Sequence, residues 1–355
     1  MPDPLAQLDS PGFATARDPK GMYDLALRFP SQCREALRLA EAAALPSDGT
    51  GIRLVVVTGL GGSAAGGDFA RALFEAGGRV PCLVNRDYGL PHFVGSDTLV
   101  IATSYSGNTE ETLAAYADAL RKGARLLAVT SGGELARRAA QDGVPVVRIP
   151  AGQPPRTAMG FMLVPVLVAC ARLGLLPAQD ATGAAAHCEA CLGAWRAETP
   201  SDRNEAKQLA AALHDAMGAI YGLGGWQSVV ASRWRGQVNE NAKQIVLTHA
   251  FPELDHNEII GWEGATRSAP RWTALVLQDG EESDRMRLRA EVTEAILAPT
   301  APVRRVTATG PTLLARMLSL ALLGDFVSLY LAALNGEDPY VIRSIDRIKD
   351  ELGRR

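Results

Sequence analysis

Hydroxyl side chains crowd two short segments of this chain. Ser104-Tyr105-Ser106-Gly107-Asn108-Thr109 carries three aliphatic hydroxyls in six residues, and Ser63 closes a glycine run, Gly59-Leu60-Gly61-Gly62. Hydroxyl donors, free backbone N–H groups at a helix start and glycines that admit a close approach can bind an anion, phosphate above all, without a lysine. No Gly-Lys-Ser/Thr follows the first run, so it is not a nucleoside-triphosphate loop; Gly59-x-Gly61-x-x-Ala64 also matches a dinucleotide fingerprint. Taken singly, each segment reads equally well as turn and capping residues, and Asn108 with Glu111 has capping-box spacing.

The elements around these segments favour the anion reading. Leu54-Val55-Val56-Val57-Thr58 is a continuous apolar run of strand length just before the glycines. Residues 99–103, 126–130 and 144–149 repeat the pattern, and residues 80–84 add a fifth candidate strand. Helical stretches lie between them at 69–76, 110–122 and 134–141. Apolar strands alternating with helices predict an α/β fold with a doubly wound parallel sheet covered on both faces. In such a sheet the loops at the carboxyl ends of neighbouring strands form the ligand crevice. Ser63 from one loop and Ser104, Ser106 and Thr109 from the next would then surround one phosphate.

The second half repeats the design in outline. Gly222-Leu223-Gly224-Gly225 follows the strand-like run 216–221, just as Gly59-Leu60-Gly61-Gly62 follows the first strand. We read two copies of one α/β domain in tandem, the second degenerate. The boundaries expected are an N-terminal arm over 1–20, a first domain over 21–175 and a second over 176–355. Pro30 is expected to kink or divide a helix over 22–44. Further strands are expected at 273–278 and 303–307, and a long helix at 313–334.

Composition excludes several classes. Forty-seven per cent hydrophobic against 21 per cent charged residues belongs to a globular protein. Thirty-six Lys and Arg against 39 Asp and Glu, a net charge of −3, argues against a nucleic-acid binder. Five scattered cysteines do not make a disulfide framework. Cys188-x-x-Cys191 has no second cysteine pair, and no metal or other cofactor is expected. Arg316 and Asp325 interrupt the apolar stretch 313–334, which reads as a buried helix and not a membrane span. The start of the chain has no signal-peptide pattern, so a cytoplasmic location is the simplest expectation. Trp226, Trp234, Trp262 and Trp272 are expected in the core or at a subunit contact.

The two hydroxyl segments resemble those of the sugar isomerase (SIS) domain, which binds phosphosugars. Three more segments narrow the match: Pro155-Arg156-Thr157-Ala158-Met159-Gly160, Asn239-Glu240-Asn241-Ala242-Lys243 and Pro252-Glu253-Leu254-Asp255-His256-Asn257-Glu258-Ile259. Together they resemble the bifunctional phosphoglucose/phosphomannose isomerase family. That resemblance implies two SIS-type domains, a homodimer, and a metal-independent interconversion of glucose 6-phosphate or mannose 6-phosphate with fructose 6-phosphate through a cis-enediolate. It implies that Glu240 is the base, His256 the ring-opening group, Lys349 its assistant and Arg156 the stabiliser of the enediolate. Gly62, Ser63, Ser104, Ser106 and Thr109 are implied as the phosphate site.

Residue chemistry alone leaves alternatives open. Glu240 lies in a polar run with Gln237, Asn239, Asn241 and Lys243 that also suits a solvated helix face. His256 among Asp255, Asn257 and Glu258 suits an exposed loop, and Arg156 a surface charge. The required parts are nonetheless present: a carboxylate ionised at neutral pH, an imidazole that exchanges protons there, and a fixed cation for an oxyanion. The functional alternatives are a non-catalytic phosphosugar sensor and an isomerase for one epimer or another phosphoaldose. A glucosamine-forming isomerase half and a nicotinamide enzyme are weaker alternatives.

Overall fold

In the computed structural model, which describes residues 3–353, the apolar runs become two parallel sheets, each in its own compact unit. The first unit comprises Arg28–Ala190 and Thr309–Ser319; the second comprises the described residues up to Leu27, Cys191–Ala308 and the described residues from Leu320 onward.

The chain opens with α1 (Pro4–Leu8) and α2 (Met22–Leu27), both in the second unit. Leu8 is 1% exposed, and the adjacent Asp9 carboxylate accepts hydrogen bonds from Lys207 Nζ at 2.9 Å and Ser201 Oγ at 2.7 Å. This stretch is therefore anchored. The division expected near Pro30 falls at Arg28: α3 (Phe29–Ala42) takes Pro30 into its first turn, where a missing N–H costs no hydrogen bond.

The first unit continues with β1 (Leu54–Thr58), α4 (Gly61–Gly77), β2 (Cys82–Asn85), β3 (Thr98–Thr103), α5 (Glu110–Arg121), β4 (Arg125–Thr130), α6 (Gly133–Gln141), β5 (Val146–Arg148) and α7 (Met159–Arg172). All five strands are parallel, in the order β2-β1-β3-β4-β5. Val56, Val100, Ala102 and Ala128 pack into one cluster with Tyr116 of α5 and Leu135 of α6. The helices α3 and α4 both pack against α7 in the same unit. One expectation needs correction. The helical stretch expected at 69–76 starts eight residues earlier, because α4 begins at Gly61 and takes in the end of the glycine run. Tertiary packing overrides glycine's low helix propensity, since the first turns of α4 lie close against neighbouring backbone.

The remaining elements are α8 (Ala181–Trp195), α9 (Glu205–Leu213), β6 (Met217–Gly222), α10 (Gly225–Ala242), β7 (Val246–Ala250), α11 (Glu258–Gly261), α12 (Ala265–Ser268), β8 (Trp272–Gln278), α13 (Asp284–Leu297), β9 (Val303–Thr307), α14 (Leu313–Asn335) and α15 (Arg343–Gly353). The second sheet is also wholly parallel, in the order β7-β6-β8-β9. Its first strand again lies between the second and third, so it repeats the first four positions of the other sheet. Tyr221, Phe251, Leu254, Trp262 and Trp272 form one core cluster, and Trp234 is fully buried. The helix α14 is buried along most of its length. Strand β7 was not anticipated. It is an edge strand whose Val-Leu-Thr-His-Ala sequence lacks a continuous apolar run.

Candidate active site

The hydroxyl residues of the first unit meet at the carboxyl ends of β1 and β3, which are hydrogen-bonded neighbours. The Thr103 hydroxyl, at the end of β3, reaches Thr58 O at 3.1 Å and Ser63 O at 3.2 Å, tying both strand ends to the first turn of α4. Ser63 Oγ accepts the Tyr105 N–H at 3.1 Å, so the two segments are in direct contact. Ser104 Oγ accepts the Gly107 N–H at 3.1 Å and lies 2.9 Å from Thr109 Oγ1. Ser106 Oγ accepts the Asn108 N–H at 3.2 Å. Ser63 and Ser104 are buried, Thr109 is half-buried and Ser106 is exposed.

Two glycines shape this turn. Gly107 has φ +75°, and a Cβ there would lie 1.9 Å from Gly132 O, so no larger residue fits. Gly62 admits the next segment: a Cβ on it would lie 2.6 Å from Pro155 O and 2.9 Å from Arg156 N. Arg156 is therefore no surface charge. Its backbone rests on the first turn of α4 and the residue is only 4% exposed. Tyr105 braces the same segment, its hydroxyl accepting the Gln153 N–H at 3.2 Å. Burial holds that phenol above its usual pKa, and it stays neutral. No side chain caps the start of α4 or α5, which leaves N-terminal N–H groups at the positive ends of two helix dipoles. Behind the turn, Asn108 Oδ1 accepts the Glu134 N–H at 2.9 Å, and Arg137 and Arg138 hold the Glu134 carboxyl down at about 2. Gly62, Ser63, Ser104, Ser106, Thr109 and Arg156 are thus brought together. Thr103 was overlooked because it reads as the last residue of a strand.

Glu240, His256 and Lys349 belong to the second unit, each on a different element. Glu240 is half-buried in the last turn of α10. The solvated-face alternative holds for Asn239 and Lys243, which are exposed, and fails for the other two neighbours. Gln237 and Asn241 are buried, donating to Asp325 Oδ1 at 2.7 Å and Ser328 Oγ at 2.9 Å on α14. One turn earlier, Arg233 grips both oxygens of Asp325 at 2.9 and 2.8 Å. His256 is exposed at the end of a single 3₁₀ turn, Glu253–His256. That turn is braced on both sides. Asp255 accepts from Arg289 at 3.1 Å and Thr293 at 2.9 Å on α13, and Glu258 accepts from the Tyr221 hydroxyl. Burial, then the Glu258 carboxylate, raises the pKa of Tyr221. Lys349 is exposed on α15, whose Ile345, Ile348 and Leu352 are exposed with it.

The chain is similar to known proteins along nearly its whole length. Residues 52–165 match the SIS domain, and residues 202–352 match the bacterial phospho-glucose isomerase C-terminal SIS domain. A bifunctional phosphoglucose/phosphomannose isomerase of Caldicellulosiruptor bescii is 40% identical over 334 residues, covering 93% of this chain and 98% of that one. The chain belongs to the bifunctional phosphoglucose/phosphomannose isomerase family. The relative of the same name from Aquifex aeolicus is 34% identical over 310 residues, covering 87% of this chain and 93% of its own. Among solved structures, a hypothetical protein of Thermus thermophilus shares the fold of this phosphoglucose/phosphomannose isomerase family member. Its TM-score is 0.75 at 17% identity, over 99% of this chain and 94% of that one. Both SIS-type sheets expected from the sequence are thereby accounted for.

Proposed function

We propose that this protein interconverts glucose 6-phosphate and mannose 6-phosphate with fructose 6-phosphate. The hydroxyl cluster at the carboxyl ends of β1 and β3 carries the reading. Ser63 accepts from the Tyr105 N–H and keeps its own proton to donate to a phosphate oxygen. Ser104 accepts from Gly107 N, and when it donates to Thr109 the Thr109 proton is left for the ligand. Ser106 adds an exposed hydroxyl and Gly62 a backbone N–H at the start of α4.

His256, assisted by Lys349, opens the sugar ring. Glu240 then takes the C2 proton of the open aldose and returns it to C1; O1 gains a proton and O2 loses one. Arg156, held against the phosphate-binding turn, steadies the negative charge that develops on the enediolate, ordinarily the larger contribution. Neither metal nor other cofactor has a part in this scheme. The active form is a homodimer in the cytoplasm, and the exposed apolar residues of α15 support an assembly that covers them.

The test is a coupled assay with both aldose 6-phosphates, on the parent and on Glu240→Gln. Turnover of both by the parent is expected. Loss of the base lowers kcat by about 10²–10⁴-fold with little change in phosphosugar binding. Full activity in Glu240→Gln removes that residue as the base. A parent that binds hexose 6-phosphates and turns none over is a sensor, and one that acts on a single aldose is epimer-specific.

A further inference from the structure

We propose that Lys243 is a positioning residue that ties the Glu240 end of α10 to the chain leading into α15; the inference rests on the roles given above to Glu240 and Lys349. The residue directly after a helix is commonly a left-handed glycine. Here that place is held by lysine with φ +52°. Asp215 shares this conformation, and among the described residues no other non-glycine does. L side chains rarely adopt it, so the side chain must give something in return.

The Lys243 ammonium donates to Glu240 O at 3.0 Å, Asn241 O at 3.2 Å and Asp338 O at 2.5 Å. The first two are last-turn carbonyls of α10, which have no partner within the helix and carry the negative end of its dipole. The third lies in the connector between α14 and α15. Asn335, at the end of α14, holds the next carbonyl, donating from Nδ2 to Ala242 O at 3.0 Å and to Gln244 Oε1 at 3.0 Å. The carbonyls of residues 240, 241 and 242 are thus each held by a side chain. Lys243 reaches from two of them to the segment that delivers Lys349. Further up α10, Arg233, Gln237 and Asn241 bind the helix to α14. Glu240 therefore projects from a backbone gripped above and below.

Such a tie serves proton transfer more than folding. A misplacement of about 1 Å at a reacting group costs on the order of 10²-fold in rate. Glycine at 243 would remove the conformational cost and the tie together, which makes Lys243→Gly the decisive variant. Its thermal midpoint should match or exceed the parent's and its KM for fructose 6-phosphate should be unchanged. Its kcat should fall about 10- to 100-fold. The primary isotope effect on C2-deuterated glucose 6-phosphate should rise, because proton transfer has become the slow step. Lys243→Arg should recover part of kcat. Parent-like kcat and isotope effect in Lys243→Gly, beside an inactive Glu240→Gln, overturn the tie alone. A fully active Glu240→Gln overturns the base assignment and the tie with it.

Discussion

The two sheets share a strand order and a Gly-Leu-Gly-Gly turn but differ in what stands at the carboxyl ends of their strands. In the first unit the turn leads to Ser63, and the neighbouring strand runs into Ser104, Ser106 and Thr109. In the second, Trp226 occupies the place of Ser63, and the strand beside β6 runs into Asp279-Gly280-Glu281-Glu282. The Glu282 carboxylate is folded back onto its own loop, accepting the Asp279 N–H at 2.7 Å. Hydroxyls and helix N–H groups attract a phosphate, whereas carboxylates at the same place repel one. On the proposed reading, one architecture makes an anion site in one copy and forbids it in the other. The helices that follow the turns differ as well. The buried face of α4 is apolar, with Ala64, Phe69, Leu73 and Phe74, whereas α10 is held by a ladder of buried polar pairs.

That contrast can be broken in three ways. The largest effect is expected from Asp325→Ala, which breaks the buried ion pair with the Arg233 guanidinium; a loss of about 3–5 kcal/mol follows, seen in denaturant unfolding of the second unit. A comparable deletion in the apolar α4 contact would break no buried ion pair, so a small loss at Asp325 would mean that the ladder contributes little. Next, Ser63→Asp imports the carboxylate of the second unit into the first. It should weaken binding of inorganic phosphate and of fructose 6-phosphate by about 10²-fold or more, since like charges close together cost several kcal/mol. Unchanged titration isotherms would mean that phosphate binds elsewhere.

The smallest effect concerns the anchored N-terminal stretch. Burial alone would raise the Asp9 carboxyl, but hydrogen bonds from Ser201 and Lys207 outweigh it and hold it below the usual 3.8. Its stabilisation is therefore complete above that value and fades as pH falls through the lower folded-state one. Hydrogen exchange at residues 4–9 should accelerate below about pH 4, ahead of the sheets. Uniform exchange across that range would remove Asp9 as the anchor.

Much of this was legible without coordinates. Leu54–Thr58, a continuous apolar run, and Val303–Thr307, bounded by β-branched residues, emerge as strands with those limits. The hydroxyl turn was legible because neighbouring parallel strands must bring their loops together. Local composition announced neither β7 nor the helical start of α4, since an edge strand needs no apolar run and glycines seldom begin a helix. The polar stretch around Glu240 looked solvated because nothing in it names Asp325 and Ser328, roughly 90 residues away, as partners.

The strands, the glycine turns and the repeat follow from short-range pattern, because periodicity and backbone freedom are properties of neighbouring residues. The burial of Arg156 against Gly62, the ladder beneath Glu240 and the clasp of Lys243 on Asp338 were decided by tertiary structure. Each depends on a partner far along the chain, and only the packed fold sets the distance between them.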